Sequence, residues 1–142
     1  DDSYGVNFRK GRSEWLVIEA DEWKGSFWHY SPALAVVTNI DNEHLDFYKN
    51  FANVKKAFAK FKKRCKKVLP VSRNSKITVQ IKKILNVPGE HNIQNALAAY
   101  TIAHYLKVPD AKVFKALNGY KGAWRRMEYR GKLKKAWVYD DY

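Results

Sequence analysis

One cysteine, Cys65, in 142 residues excludes an internal disulfide, so the fold must rest on packing. That usage fits a reducing compartment, and a cytoplasmic localisation is expected. Long apolar runs are missing too. No stretch approaches the roughly eighteen residues that a membrane-spanning helix needs, which excludes such a span. The opening residues Asp1-Asp2-Ser3-Tyr4-Gly5 have neither the basic nor the apolar region of a secretory signal. Acidic residues are few, 14 against 27 lysines and arginines. No G-x-x-x-x-G-K-[ST] phosphate loop, G-x-G-x-x-G turn, Ser/His/Asp arrangement or Cys/His metal cluster occurs, and no internal repeat or low-complexity tract.

What is present suffices for a core: 46% of the residues are apolar and 15% aromatic, well above a disordered chain. The net charge of +13 is uneven, because Phe51 to Gly89 contains twelve Lys and Arg and no Asp or Glu. Two readings stand. A solvated helix face would carry such lysines, and a small basic module could use residues 51–89 on nucleic acid. The apolar positions Phe51, Val54, Phe58, Phe61, Cys65 and Val68 recur every three or four residues, which predicts a helix over Phe51–Lys67. Its phenylalanines are expected on the buried stripe, away from the lysines and from bases. The solvated-face reading is therefore preferred, and nucleic acid is not an expected partner.

Trp15 to Ala20 and Ala33 to Asn39 are short unbroken apolar runs, each ending in polar residues, as strands buried in a parallel sheet would. Ligands gather at the carboxyl ends of such strands. Ile77, Val79 and Ile81 alternate with Thr78, Gln80 and Lys82, suggesting a half-exposed strand. Helices are predicted over His91–Leu106 and Asp110–Leu117, the latter capped by its Asp. Two short strands, Met127–Arg130 and Lys135–Tyr139, close the chain. Alternating strands and helices indicate an α/β fold, a mostly parallel sheet flanked by helices with a small additional β element.

Four constellations carry candidate chemistry. Glu19-Ala20-Asp21-Glu22 is an acidic strand tip suited to Mg²⁺, or equally a polar turn. Thr38 to Asp46 follows the second strand, but a lone His44 there is ordinarily a hydrogen-bonded loop residue, and magnesium does not favour imidazole. His91, Asn92 and Asn95 share one side of a helix start, where amides can read a purine edge or simply cap the helix. In Gly122 to Glu128 a guanidinium can clamp phosphate or form a surface ion pair.

Taken in order, these segments carry a resemblance. The run EADEWKGSFWHYSPALAVVTNIDNEHLDFY (19–48) looks like the central ATP-binding domain of the Mur ligases. VPGEHNIQNALAAY (87–100) is similar to that family's H-N-x-x-N-A-L-A-A helix. GAWRRMEYRG (122–131) resembles its R-R-F-E segment with Met127 in place of Phe, and Val138 to Tyr142 resembles the start of D-D-Y-G-H-H-P. The E-A-D-E and N-I-D-x-x-H-L-D forms point to the alanine-adding member. The resemblance implies a ligase that uses ATP and Mg²⁺ to join L-alanine to UDP-N-acetylmuramate through an acyl phosphate in peptidoglycan precursor synthesis. By position, Glu19 and His44 match magnesium ligands, and His91, Asn92 and Asn95 match residues around the adenine. Arg126 matches a catalytic arginine at the terminal phosphate, and Asp141 an acid at the ribose. Residues 1–139 are then expected to be a partial central domain and 140–142 the start of a linker. The phosphate loop and the N- and C-terminal domains are expected outside this chain, so the isolated chain should be inactive. Between Leu69 and Ile84 the sequence is shorter than the family usually shows.

Overall fold

The computed structural model describes residues 10–123 and 126–141. Its framework is a β-α-β unit followed by three helices and a hairpin. Strand β1 (Ala35–Val36) pairs in parallel with β2 (Val68–Leu69), in the register Ala35 to Val68 and Val36 to Leu69. Between them run α1 (Leu45–Tyr48) and α2 (Phe51–Arg64). Then come α3 (Ser75–Ile84), α4 (Glu90–Tyr105) and α5 (Asp110–Asn118). The hairpin β3 (Glu128–Leu133) and β4 (Ala136–Asp140) is antiparallel, with an irregularity between Tyr129 and Gly131.

Helix α2 forms where its spacing predicts. Asn50 caps it by accepting from the Asn53 amide at 2.9 Å, and Lys62, Lys63 and Arg64 sit at its negative end. Val54, Ala57 and Phe61 are buried against Phe27 and Tyr48 in one core, with Phe58 and Cys65 packed at its edge. Phe51 departs from the expected buried stripe: it is exposed, with the Lys55 ammonium 4.8 Å from its ring centroid. It lies in the first turn, where little chain covers the stripe.

The second core joins α3, α4 and α5 through Ile81, Ile93, Leu97, Tyr100 and Val113. Here the expected strand at Ile77–Ile81 is a helix. Asn74 caps it, accepting from the amides of Lys76 and Ile77 at 3.0 and 3.3 Å. The apolar residues Ile77 and Ile81 lie four apart and pack into the core with α4, while Val79 is left 52% exposed. Asp110 does not cap α5. Its carboxylate instead accepts from the Tyr100 hydroxyl at 3.2 Å.

The parallel sheet is smaller than expected. Trp15–Ala20 has no regular structure, and Leu16 and Val17 are 70% and 87% exposed. A strand buried on both faces needs ladder partners at its edges, and among the described residues only β1 and β2 pair in parallel. The α/β class holds, with the helices carrying most of the packing.

Candidate functional site

The chain after Ala20 is folded by one glycine. Trp23–His29 is a pair of 3-10 turns joined at Lys24 and Gly25, both with positive φ. A Cβ on Gly25 would lie 2.5 Å from the Trp28 ring, so any other residue here would strain the backbone and force that ring to move. The turn closes on itself through Gly25 N–H to the Glu22 carbonyl and Phe27 N–H to the Asp21 carbonyl, both 2.9 Å. The Asp21 carboxylate accepts from the Trp23 amide at 2.7 Å, so one of its oxygens is engaged in the turn. Phe27, fully buried, anchors the loop between Phe58 and Phe61. Glu22 is thereby held half-buried at the loop tip.

His44 reaches the same place from the loop after β1. Its backbone is left-handed, φ 55°, an uncommon conformation for a non-glycine residue that starts α1. Its Nε2 lies 3.2 Å from the Glu22 carboxylate, and the Trp23 ring meets its imidazole edge-on at 4.9 Å. Glu43 completes a group in which one ligand atom from each of Glu22, Glu43 and His44 lies within 4.8 Å of the others. Glu19, exposed, is not a member of it.

This donor set fits a divalent cation. Bonds of about 2.1 Å in octahedral geometry set neighbouring ligand atoms about 3.0 Å apart, and the Glu22–His44 separation of 3.2 Å is close to that. Two carboxylates supply hard oxygens, and the imidazole broadens the set toward Mn²⁺. Opposite the cluster, Tyr48 is buried and its hydroxyl donates to the Glu22 carbonyl at 2.5 Å. Burial is the main cause that pushes this phenol above its ordinary value, the Gly25 amide opposes it, and the nearby Glu22 and Asp21 charges reinforce it.

The other candidates sit on separate elements. His91, Asn92 and Asn95 occupy the first turns of α4, which packs against β1. Gly89, φ 98°, precedes the helix, and a Cβ there would meet the His91 ring at 2.5 Å. The Asn92 amide donates to the Pro88 carbonyl at 2.5 Å, so one of its two N–H donors fastens the helix start. Asn95 is exposed. Asp141 lies at the base of the hairpin, where its carboxylate accepts from the Met127 amide at 3.1 Å, and the Arg126 amide donates to the Ala123 carbonyl at 3.1 Å. Trp124, Arg125 and Tyr142 lie outside the described residues.

Residues 6–84 match the Mur ligase middle domain. The chain belongs to that family. Among relatives of this Mur ligase middle domain, the UDP-N-acetylmuramate–L-alanine ligase of Aquifex aeolicus is 36% identical over 183 residues, taking in 97% of this chain and 40% of the relative. The enzyme of the same name from Desulforapulum autotrophicum is 35% identical over 185 residues, 99% of this chain and 41% of the relative. The crystal structure of UDP-N-acetylmuramate-alanine ligase MurC from Thermotoga maritima superposes with a TM-score of 0.63 at 22% identity, covering 85% of this chain and 37% of that one. That likeness establishes the fold. The chain spans about two-fifths of the length of the curated relatives it matches. An alignment of 183 residues against a chain of 142 also means that the Aquifex relative carries segments with no counterpart here.

Sequence reasoning took Glu19 and His44 as the ligand pair from the family motif, with Glu22 named only as part of the acidic run 19–22 and Glu43 not nominated. Glu43 lay in the run 38–46 that follows the second predicted strand. The approach of Glu22 and Glu43 to His44 depends on the turn at Gly25 and the left-handed residue at His44, which no spacing rule encodes.

Proposed function

We propose that this chain is part of the ATP-binding domain of a cytoplasmic ligase that joins L-alanine to UDP-N-acetylmuramate. The observation that carries the reading is the shared name of relatives 35–36% identical over nearly the whole chain. In that reaction ATP transfers its terminal phosphoryl group to the muramate carboxylate, and ADP leaves. The alanine amino group then attacks the acyl phosphate, and phosphate departs from the tetrahedral adduct. Such catalysis rests on positioning and on neutralising phosphoryl charge. Magnesium, when bound, supplies that neutralisation. By family position His44 and Glu19 hold it, and the approach of Glu22 and Glu43 to His44 supports a cation there. His91, Asn92 and Asn95 flank the adenine, Asp141 takes the ribose, and the Arg126 guanidinium faces the terminal phosphate.

Residues 1–139 form the partial domain and 140–142 begin the linker beyond it. The isolated chain, without a phosphate loop, binds ATP weakly and turns nothing over. Equilibrium dialysis with labelled ATP and Mg²⁺ should detect weak retention that Asn95→Ala and Arg126→Ala reduce. Retention unchanged by both substitutions would overturn the nucleotide assignment. ADP release dependent on UDP-N-acetylmuramate and L-alanine would overturn the assigned inactivity.

A further inference from the structure

We infer that Tyr48 is a positioning residue of the cation site, a buried side chain that ties the Glu22 loop to the His44 loop. The inference rests on the reading of Glu22 and His44 as cation ligands. A buried core position would ordinarily favour Phe, because a phenol hydroxyl taken from water must find a partner. Tyr48, 5% exposed, has its ring in the core with Val54, Ala57 and Phe27. Each of its polar groups is engaged, and two of them hold the candidate ligands directly. Its hydroxyl donates to the Glu22 carbonyl at 2.5 Å, and its amide donates to the His44 carbonyl at 2.9 Å. Its own carbonyl accepts from the Asn53 side chain at 2.8 Å, fixing the junction of α1 and α2.

The two loops come from different parts of the chain. Glu22 follows an irregular segment, whereas His44 starts a helix of four residues in a left-handed conformation. Neither can be expected to hold a 3.2 Å approach of side chains by itself. Tyr48 is one helical turn beyond His44, so its ring rises from the His44 turn into the core and its hydroxyl emerges beneath Glu22. Supporting contacts of this kind orient ligands without touching the metal, and their loss typically costs about tenfold or more in affinity.

The test is Mn²⁺ binding by the purified chain, followed as loss of the free-ion signal in electron paramagnetic resonance. Tyr48→Phe keeps the ring and removes only the hydroxyl. It should weaken Mn²⁺ binding about tenfold. Tyr100→Phe, which removes the hydroxyl of an equally buried tyrosine in the other core, should leave the affinity within twofold. Ser26→Ala provides a second way to loosen the same loop without touching the core, since the Ser26 hydroxyl donates to the Asp21 carbonyl at 2.5 Å. It should weaken binding in the same direction. Glu22→Gln and His44→Ala separate the two levels of the argument. If both abolish binding while Tyr48→Phe and Ser26→Ala bind like wild type, the positioning role is overturned and the cation reading stands. If wild type binds no Mn²⁺, or neither ligand substitution affects it, the cation reading fails and the positioning role fails with it.

Discussion

Gly25→Ala puts the loop geometry to a quantitative test. At φ +74° an alanine pays the left-handed penalty, about 1–2 kcal/mol. Its Cβ would also stand 2.5 Å from Cε3 and Cζ3 of Trp28, so the indole must move. That ring is not a loose end. Its Nε1 donates to the Ala57 carbonyl at 3.2 Å, and the Lys60 ammonium sits 3.9 Å from the ring centroid. Losing the hydrogen bond costs about 0.5–1.5 kcal/mol, and losing the cation–π contact about 0.5–1 kcal/mol at an exposed position. The sum is about 2–4.5 kcal/mol, a large share of the stability of a domain this size. Urea unfolding followed by circular dichroism reads it as a lower midpoint at unchanged slope. Gly11→Ala is the internal control, because a Cβ there meets nothing within 4 Å and no left-handed backbone is involved. It should be neutral or slightly stabilising. A Gly25→Ala variant within about 0.5 kcal/mol of wild type, near the noise of surface substitutions, would refute the argument that this turn is built on glycine.

Three further outcomes follow from the helical half. Ile81→Ala, at a fully buried position, should destabilise by about 2–5 kcal/mol in the same urea assay. Asn74→Ala removes the cap of α3 and should cost about 1 kcal/mol; no loss would argue against the helix that replaces the expected strand. Burial and then the Asp110 carboxylate push the Tyr100 phenol up, so the native state keeps that proton longer than the unfolded chain. Its contribution is therefore complete below the ordinary phenol value of about 10 and is lost as pH rises beyond it. Urea midpoints between neutral and strongly alkaline pH should fall less steeply in Tyr100→Phe than in wild type.

Helices α2, α4 and α5 were legible because one apolar face and a polar remainder leave a 3.6-residue trace that packing then uses directly. The two closing strands were legible as short runs, while their antiparallel pairing was not read. Helix α3 was not, since Ile77, Val79 and Ile81 fit alternation as well as they fit a helical face. The deciding signals were Asn74 before Ser75 and the continuation to Ile84, a cap and a length that favour helix. Trp15–Ala20 failed differently: its residues suit a buried strand, but a strand is a property of its neighbours, and the described residues provide none for it. At the site, His44 stands out only through its family motif. Glu22, Glu43 and Tyr48 join it by tertiary geometry, through a glycine turn and a helix four residues long.

The chain has four histidines, His29, His44, His91 and His104, and this makes the cation site separately visible in solution. Proton NMR of the imidazole rings during a substoichiometric Mn²⁺ titration reports which ring the ion approaches. The His44 signals should broaden first while those of His29 and His104 stay sharp, and added ATP should then shift His91. Uniform broadening of all four rings, or a sharp His44 beside a broadened His29 or His104, would contradict a nucleotide–cation site at the tips of these two loops.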